Sequence, residues 1–174
     1  MKSDKIKKGI IAAFDSICQK YSLKKIRAHK VCSTCYEFLF SNKISGLKIL
    51  YDIREGWLDI RLNRLIDGKF IEDPHTGWFQ AKLNEVSLDY IVSYYESESC
   101  IEPIYKYPPD SIYKTAENGF CLYCGLYADQ LNKYCADILC GDFSKFDNYI
   151  EYMKLKAYER LEKYNEGKRD NGSS

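Results

Sequence analysis

At 174 residues, with 45% hydrophobic and 29% charged side chains, the chain has the length and balance of one globular domain that can bury a core without metal or disulfide staples. No apolar run approaches bilayer-spanning length, and the N-terminal MKSDKIKKGIIAAFDSICQKY has no uninterrupted signal-peptide core, so the expected location is cytoplasmic. The net charge of +1 conceals opposed segments: residues 1–30 carry nine Lys/Arg against two acids, whereas residues 72–102 carry seven acids against Lys82 alone.

In chain order, Ile6, Ile10, Ala13, Phe14, Ile17 and Tyr21 share one helical face, which predicts an N-terminal helix from Ser3 to about Tyr21. Lys24 to Lys30 reads as a loop or a short irregular strand. From Tyr36 to Leu65 the apolar side chains Phe38, Phe40, Leu47, Ile49, Tyr51, Ile53, Leu58, Ile60 and Leu62 recur at every second position. Turn chemistry sits at Asn42-Lys43 with Gly46 and at Arg54-Glu55-Gly56, so the segment predicts an antiparallel meander with one wet face. Phe70, Ile71, Trp78, Phe79 and Leu83 suggest a further strand or pair of strands, giving a sheet of four or five.

A short helix is expected from Ser87 to Glu96, followed by a proline-rich loop from Ser97 to Asp110. Apolar residues at steps of three and four predict one long helix over residues 116–140, stopped by Gly141. Ser144 with Asp147 resembles a capping box opening a last helix. The fold class is therefore α+β: a single domain over residues 1–165 with C-terminal helices on one face of the sheet, and a disordered polar tail over 166–174.

Eight cysteines in a chain with no export signal read as thiols. Cys32 and Cys35, with Cys121 and Cys124, form two CxxC pairs of the kind that share a tetrahedral zinc ion, but the long separation and the helical stripe containing Cys124 favour separate thiols. No cofactor is expected. His29 and His75 read as loop histidines with no accompanying nucleophile signature. Asp59 or Asp67 with Gln80 and Lys82 has the composition of a magnesium-dependent nuclease site at loose spacing. The basic N-terminal helix, extended by Arg61 and Arg64, is a candidate phosphate-binding face, with a solvated helix face as the simpler reading.

Glu72, Asp73, Glu85, Asp89, Glu96, Glu98 and Glu102 are interleaved with Trp78, Tyr90, Tyr94 and Tyr95. Carboxylates speed encounter with a basic protein surface and aromatic side chains anchor the complex, so this segment is the candidate partner-binding region; internal pairing with the basic first helix is the alternative.

The YDIREGWLDIRLNRL meander and the later YCADILCGDFSKFDNYIEYMK, within residues 36–66 and 134–153, resemble small bacterial immunity proteins encoded beside polymorphic or contact-dependent growth inhibition toxins. The resemblance implies a cytoplasmic, non-enzymatic protein that binds one cognate toxin domain, often a nuclease, and blocks its active site or substrate approach. It transfers no binding residue. With it, the expected function is toxin neutralisation through the acidic and aromatic segment. A zinc- or nucleic-acid-binding regulator is the competing class, and a nuclease the third.

Overall fold

The structure is a computed structural model that describes residues 3–74, 76–96 and 101–171, with side chains described over 6–74, 76–96 and 101–165. Two helices, α1 (Ser3–Ala13) and α2 (Asp15–Lys20), precede five strands: β1 (Lys24–Lys30), β2 (Cys35–Ser41), β3 (Ser45–Asp52), β4 (Trp57–Arg64) and β5 (Glu85–Ser87). The helices α3 (Leu88–Tyr95), α4 (Ile112–Thr115), α5 (Gly119–Tyr134), α6 (Ala136–Leu139) and α7 (Phe146–Asn171) complete the α+β domain. The strands form one antiparallel sheet in the order β1-β2-β3-β4-β5.

The alternation of the meander sorts its side chains by face. Phe38, Phe40, Leu47, Ile49, Tyr51, Leu58, Ile60 and Leu62 are buried together, under Ile6, Ile10, Phe14 and Ile17 of the first two helices and Tyr123, Tyr127 and Leu131 of α5. The register sets Ile49 between Phe38 and Ile60, a row of apolar cross-strand neighbours. The intervening residues, including Arg27, Glu37, Lys48, Asp59 and Arg61, project from the other face and pair there with opposite charges.

Several boundaries differ from the sequence reading. The first helix is interrupted at Phe14, whose ψ of 3° departs from helical geometry. Residues 24–30 form a full strand, with a register shift between Lys25 and Arg27. Among the described residues no strand lies between Phe70 and Leu83: an isolated bridge joins Ile66 and Lys69, and β5 begins at Glu85. The positive φ angles of Asp67, Gly68 and Gly77 turn this segment repeatedly, and Phe70 and Trp78 fold back against the body of the protein while Ile66 and Ile71 stay exposed. Phe70 lies so close to Gly46 that a Cβ there would meet its ring at 2.5 Å.

The expected helix over 116–140 is divided at Cys135, where φ is −123°. Its glycine stop is a Schellman closure: Gly141 donates to the Ile138 carbonyl at 2.9 Å and Asp142 to that of Asp137 at 2.9 Å. The Ser144–Asp147 capping box does not form. Asp142 Oδ1 instead accepts from the Ser144 backbone N–H at 2.9 Å, which holds the Asp142 carboxyl below its ordinary value, and Asp147 pairs with Arg64 at 3.0 Å. The last helix continues to Asn171, past the expected domain boundary at residue 165; residues 172–174 lie outside the described residues.

Candidate partner-binding cleft

The segment from Ile66 to Asn84 determines where the acidic residues meet. Arg64 N–H donates to the Asn84 carbonyl at 2.8 Å, and Asp73 accepts from the backbone N–H groups of Asn84 at 2.9 Å and Glu85 at 3.2 Å. Asp73 thereby ties the loop to the start of β5. Lys154 of α7 donates to the Ala81 carbonyl at 3.0 Å, pinning the loop from its other side. Trp78 packs against the core and stacks on Phe79, with ring centroids 4.3 Å apart.

Between this loop, the outward face of β4 and β5, α3 and α7 lies a cleft of about 520 Å³. Trp57 and Trp78 contribute aromatic walls, and Tyr90 lies beside Arg160, whose guanidinium carbon is 5.5 Å from the ring centroid and whose Nη1 donates to the Tyr90 hydroxyl at 3.1 Å. Four carboxylates, Asp59, Asp73, Glu85 and Asp89, line it with two guanidinium groups, Arg61 and Arg160.

These charges are unequally occupied. Arg61 bonds Asp59 at 2.6 Å and Glu85 at 2.6 Å, and Lys48 pairs with the second oxygen of Glu85. Burial works against the Arg61 charge, but the two carboxylates outweigh it and hold the guanidinium well above its ordinary pKa. Burial likewise pushes Asp73 up, opposed by its two backbone donors. Asp89, in the first turn of α3, has no such shell: burial, reinforced by the charge of Asp59 and opposed by Arg160, pushes its carboxyl up to about 6. Near neutral pH it is therefore an ionised carboxylate kept at an energetic cost on a rigid helix at the cleft wall.

Asp73, Trp78, Glu85 and Asp89 are thus brought together. The rest of the predicted set is elsewhere. Glu72 is exposed on the loop, Glu96 pairs with Lys133 at 2.7 Å and accepts from Tyr134, and Glu102 pairs with Lys106 at 2.7 Å. Glu98 lies outside the described residues. Tyr94 and Tyr95 join Tyr149 in an aromatic cluster between helices, with the Tyr95 and Tyr149 hydroxyls 2.6 Å apart. Among the described ion pairs, the acids of 72–102 bond to Lys48, Arg61, Lys106 and Lys133, none of which lies on the first helix.

The other sequence candidates separate. Cys32 and Cys35 lie at the β1–β2 turn and Cys121 and Cys124 on α5; all four are free thiols, and no three metal-ligating side chains group among the described residues, so the four-thiolate zinc site is not assembled. Burial pushes the Cys124 thiol far up, as expected for a cysteine used as a core hydrophobe. Of the nuclease-like set, Asp59 is engaged by Arg61 in the cleft, whereas Asp67 and Lys82 line one separate hollow that Gln80 does not line. His29 Nδ1 is 3.7 Å from Glu37 on the β1–β2 pair, and His75 lies outside the described residues. The basic stretch is partly consumed internally: Lys20 donates to Asn132 and Arg27 bonds Glu37.

Sequence reasoning missed Trp57, Lys48, Met153 and Arg160 as neighbours of the acids. For Lys48 the signal was present, since it occupies a polar position of the meander and must share a face with Asp59 and Arg61. No family model, curated protein or solved structure matches this chain.

Proposed function

We propose that this protein neutralises a toxic protein, as an immunity protein does, by seating a basic side chain of the toxin domain in the cleft between the sheet and α7. The observation that carries this reading is the combination of Asp89, ionised near neutral pH at a cost and lacking the donors that surround Asp59 and Glu85, with the walls of Trp57 and Trp78. A cationic side chain entering there gains a carboxylate partner with little solvent competition, and its aliphatic stem packs on indole. The strands and helices supporting these groups are tied by backbone and ion-pair contacts, so little ordering entropy is lost on docking.

The inhibition is occlusion. A nuclease presents lysines and arginines to phosphate, and a carboxylate-lined cleft competes for those same groups. The sequence resemblance and the charge of residues 72–102 support this class of partner, and the proposed contact is the first half of that segment together with β4 and α7, which line the cleft.

The test is co-expression with the variable C-terminal domain of a large secreted protein encoded immediately upstream, the gene arrangement that this function requires. Restored growth of the toxin-expressing cells and co-purification of a stoichiometric complex are expected. Growth arrest unchanged by this chain would contradict the proposal.

A further inference from the structure

The cysteines of the β1–β2 turn stand apart from the cleft and from the core. Cys32 is exposed and Cys35 half-buried, with Ser33 and Thr34 between them. The Cys35 carbonyl accepts from the backbone N–H of Val31 at 3.0 Å and of Cys32 at 3.5 Å, the bonding direction of antiparallel neighbours rather than of a β-turn, and this sets Cys32 across from Cys35 at the mouth of the hairpin. The Thr34 carbonyl accepts from Ile53 N–H at 2.7 Å, fastening the turn to the neighbouring β3–β4 connection. Residues bonded across an antiparallel pair hold their Cα atoms about 5.5 Å apart, inside the reach of a disulfide.

We propose that Cys32 and Cys35 are a dithiol modification site that a peroxide converts to an intraturn disulfide. The two thiols differ as an attacking and a resolving cysteine must. The Cys32 sulfur lies 3.6 Å from the Thr34 hydroxyl, and the Thr34 backbone N–H and hydroxyl hold its pKa below the ordinary value, favouring the thiolate. Cys35 is turned toward the Tyr36 carbonyl at 3.7 Å; burial, then the charges of Cys32, Asp52 and Glu37, push its thiol up, opposed by a backbone hydrogen bond at Tyr51. It remains the protonated partner until Cys32 has reacted.

The chemistry balances within the turn. The Cys32 thiolate attacks one peroxide oxygen, the O–O bond breaks, and the departing hydroxide takes a proton to leave as water (or alcohol, from an alkyl peroxide). The Cys32 sulfenic acid so formed is attacked by the Cys35 sulfur; the S–O bond breaks, the Cys35 proton goes to the leaving hydroxide, and a second water departs. The two sulfurs together supply the two electrons that reduce the peroxide. Cys18, Cys124 and Cys135 offer no competing route, because burial pushes all three thiols up, while exposed Cys140 provides an internal comparison outside the turn.

The experiment is limited oxidation of the full chain with hydrogen peroxide, followed by intact mass and peptide mapping. The expected result is loss of the mass of two hydrogens, a Cys32–Cys35 cross-link within one peptide, and recovery of the starting mass with a thiol reductant. In Cys35→Ser the same treatment should instead leave Cys32 as a sulfenic acid trapped by dimedone. Oxidation of Cys140 ahead of Cys32, or over-oxidation of Cys32 with Cys35 left as a free thiol, would overturn the proposal. Neither outcome depends on identifying a toxin partner.

Discussion

Replacing Asp89 with asparagine should make the protein more stable above neutral pH. The Asp89 carboxyl moves from an ordinary value of 3.8 to about 6 on folding, driven first by burial and then by Asp59, with Arg160 opposing. Its folded pKa lies above its unfolded one, so between these values the folded state holds more protons and stability falls as pH rises. The penalty is absent below about pH 4 and complete above about pH 6. A gap of about two units corresponds to ~3 kcal/mol at 1.36 kcal/mol per unit. Asparagine removes the charge but keeps a buried amide with hydrogen-bonding needs, and it forfeits the attraction of Arg160, leaving a net gain of about 1–2 kcal/mol. With a urea dependence of ~2 kcal/mol/M for a chain of this length, the unfolding midpoint should rise by about 0.5–1 M above neutral pH and hardly move near pH 4. Urea unfolding followed by circular dichroism at the two pH values measures this directly. An unchanged or lower midpoint above neutral pH, or a difference between variant and wild type that is the same at both pH values, would refute the reasoning.

Two further experiments test the helix stop at Gly141 and the ion pairs at the cleft. Gly141→Ala should cost about 1–3 kcal/mol and lower the thermal midpoint, because φ is +90° there and the new Cβ would meet Ile44 Cγ2 at 2.8 Å. A double-mutant cycle of Lys48→Met and Glu85→Gln should return a coupling of about 1–2 kcal/mol, since both side chains are mostly buried, at 17% and 13% exposure. A coupling near zero in urea unfolding would show that Arg61 alone holds Glu85.

The sheet was legible because every core-facing position from Phe38 to Leu62 obeys the period of a strand, and a slip of one residue would bury Lys48, Asp59 and Arg61. The helices were legible as stripes, but their interruptions at Phe14 and Cys135 were not, because both residues are apolar and buried and fit an unbroken helix equally well. The segment Phe70 to Leu83 misled for the opposite reason: its aromatic side chains resemble strand residues, while its turns make it a cover for Gly46 and a wall for the cleft. Acidity and aromaticity marked residues 72–102 as one surface. Their partition depended on long-range partners, Arg61 and Lys48 for Glu85 and Lys133 for Glu96, which local composition does not encode. Arg160 was invisible for the same reason, since its place beside Tyr90 follows only from the packing of α7 against α3.

In the proposed complex Asp89 holds a cation of the partner, and a binding measurement separates that role from stability. Isothermal titration of wild-type and Asp89→Asn chains against a toxin domain that co-expression identifies as the partner, above neutral pH, should show at least about tenfold weaker binding for the variant, or about 1.4 kcal/mol, although the variant is expected to be the more stable fold. Equal affinities, with the loss found instead in Glu96→Lys and Glu102→Lys, would contradict the cleft as the docking site and return it to the second half of the acidic segment.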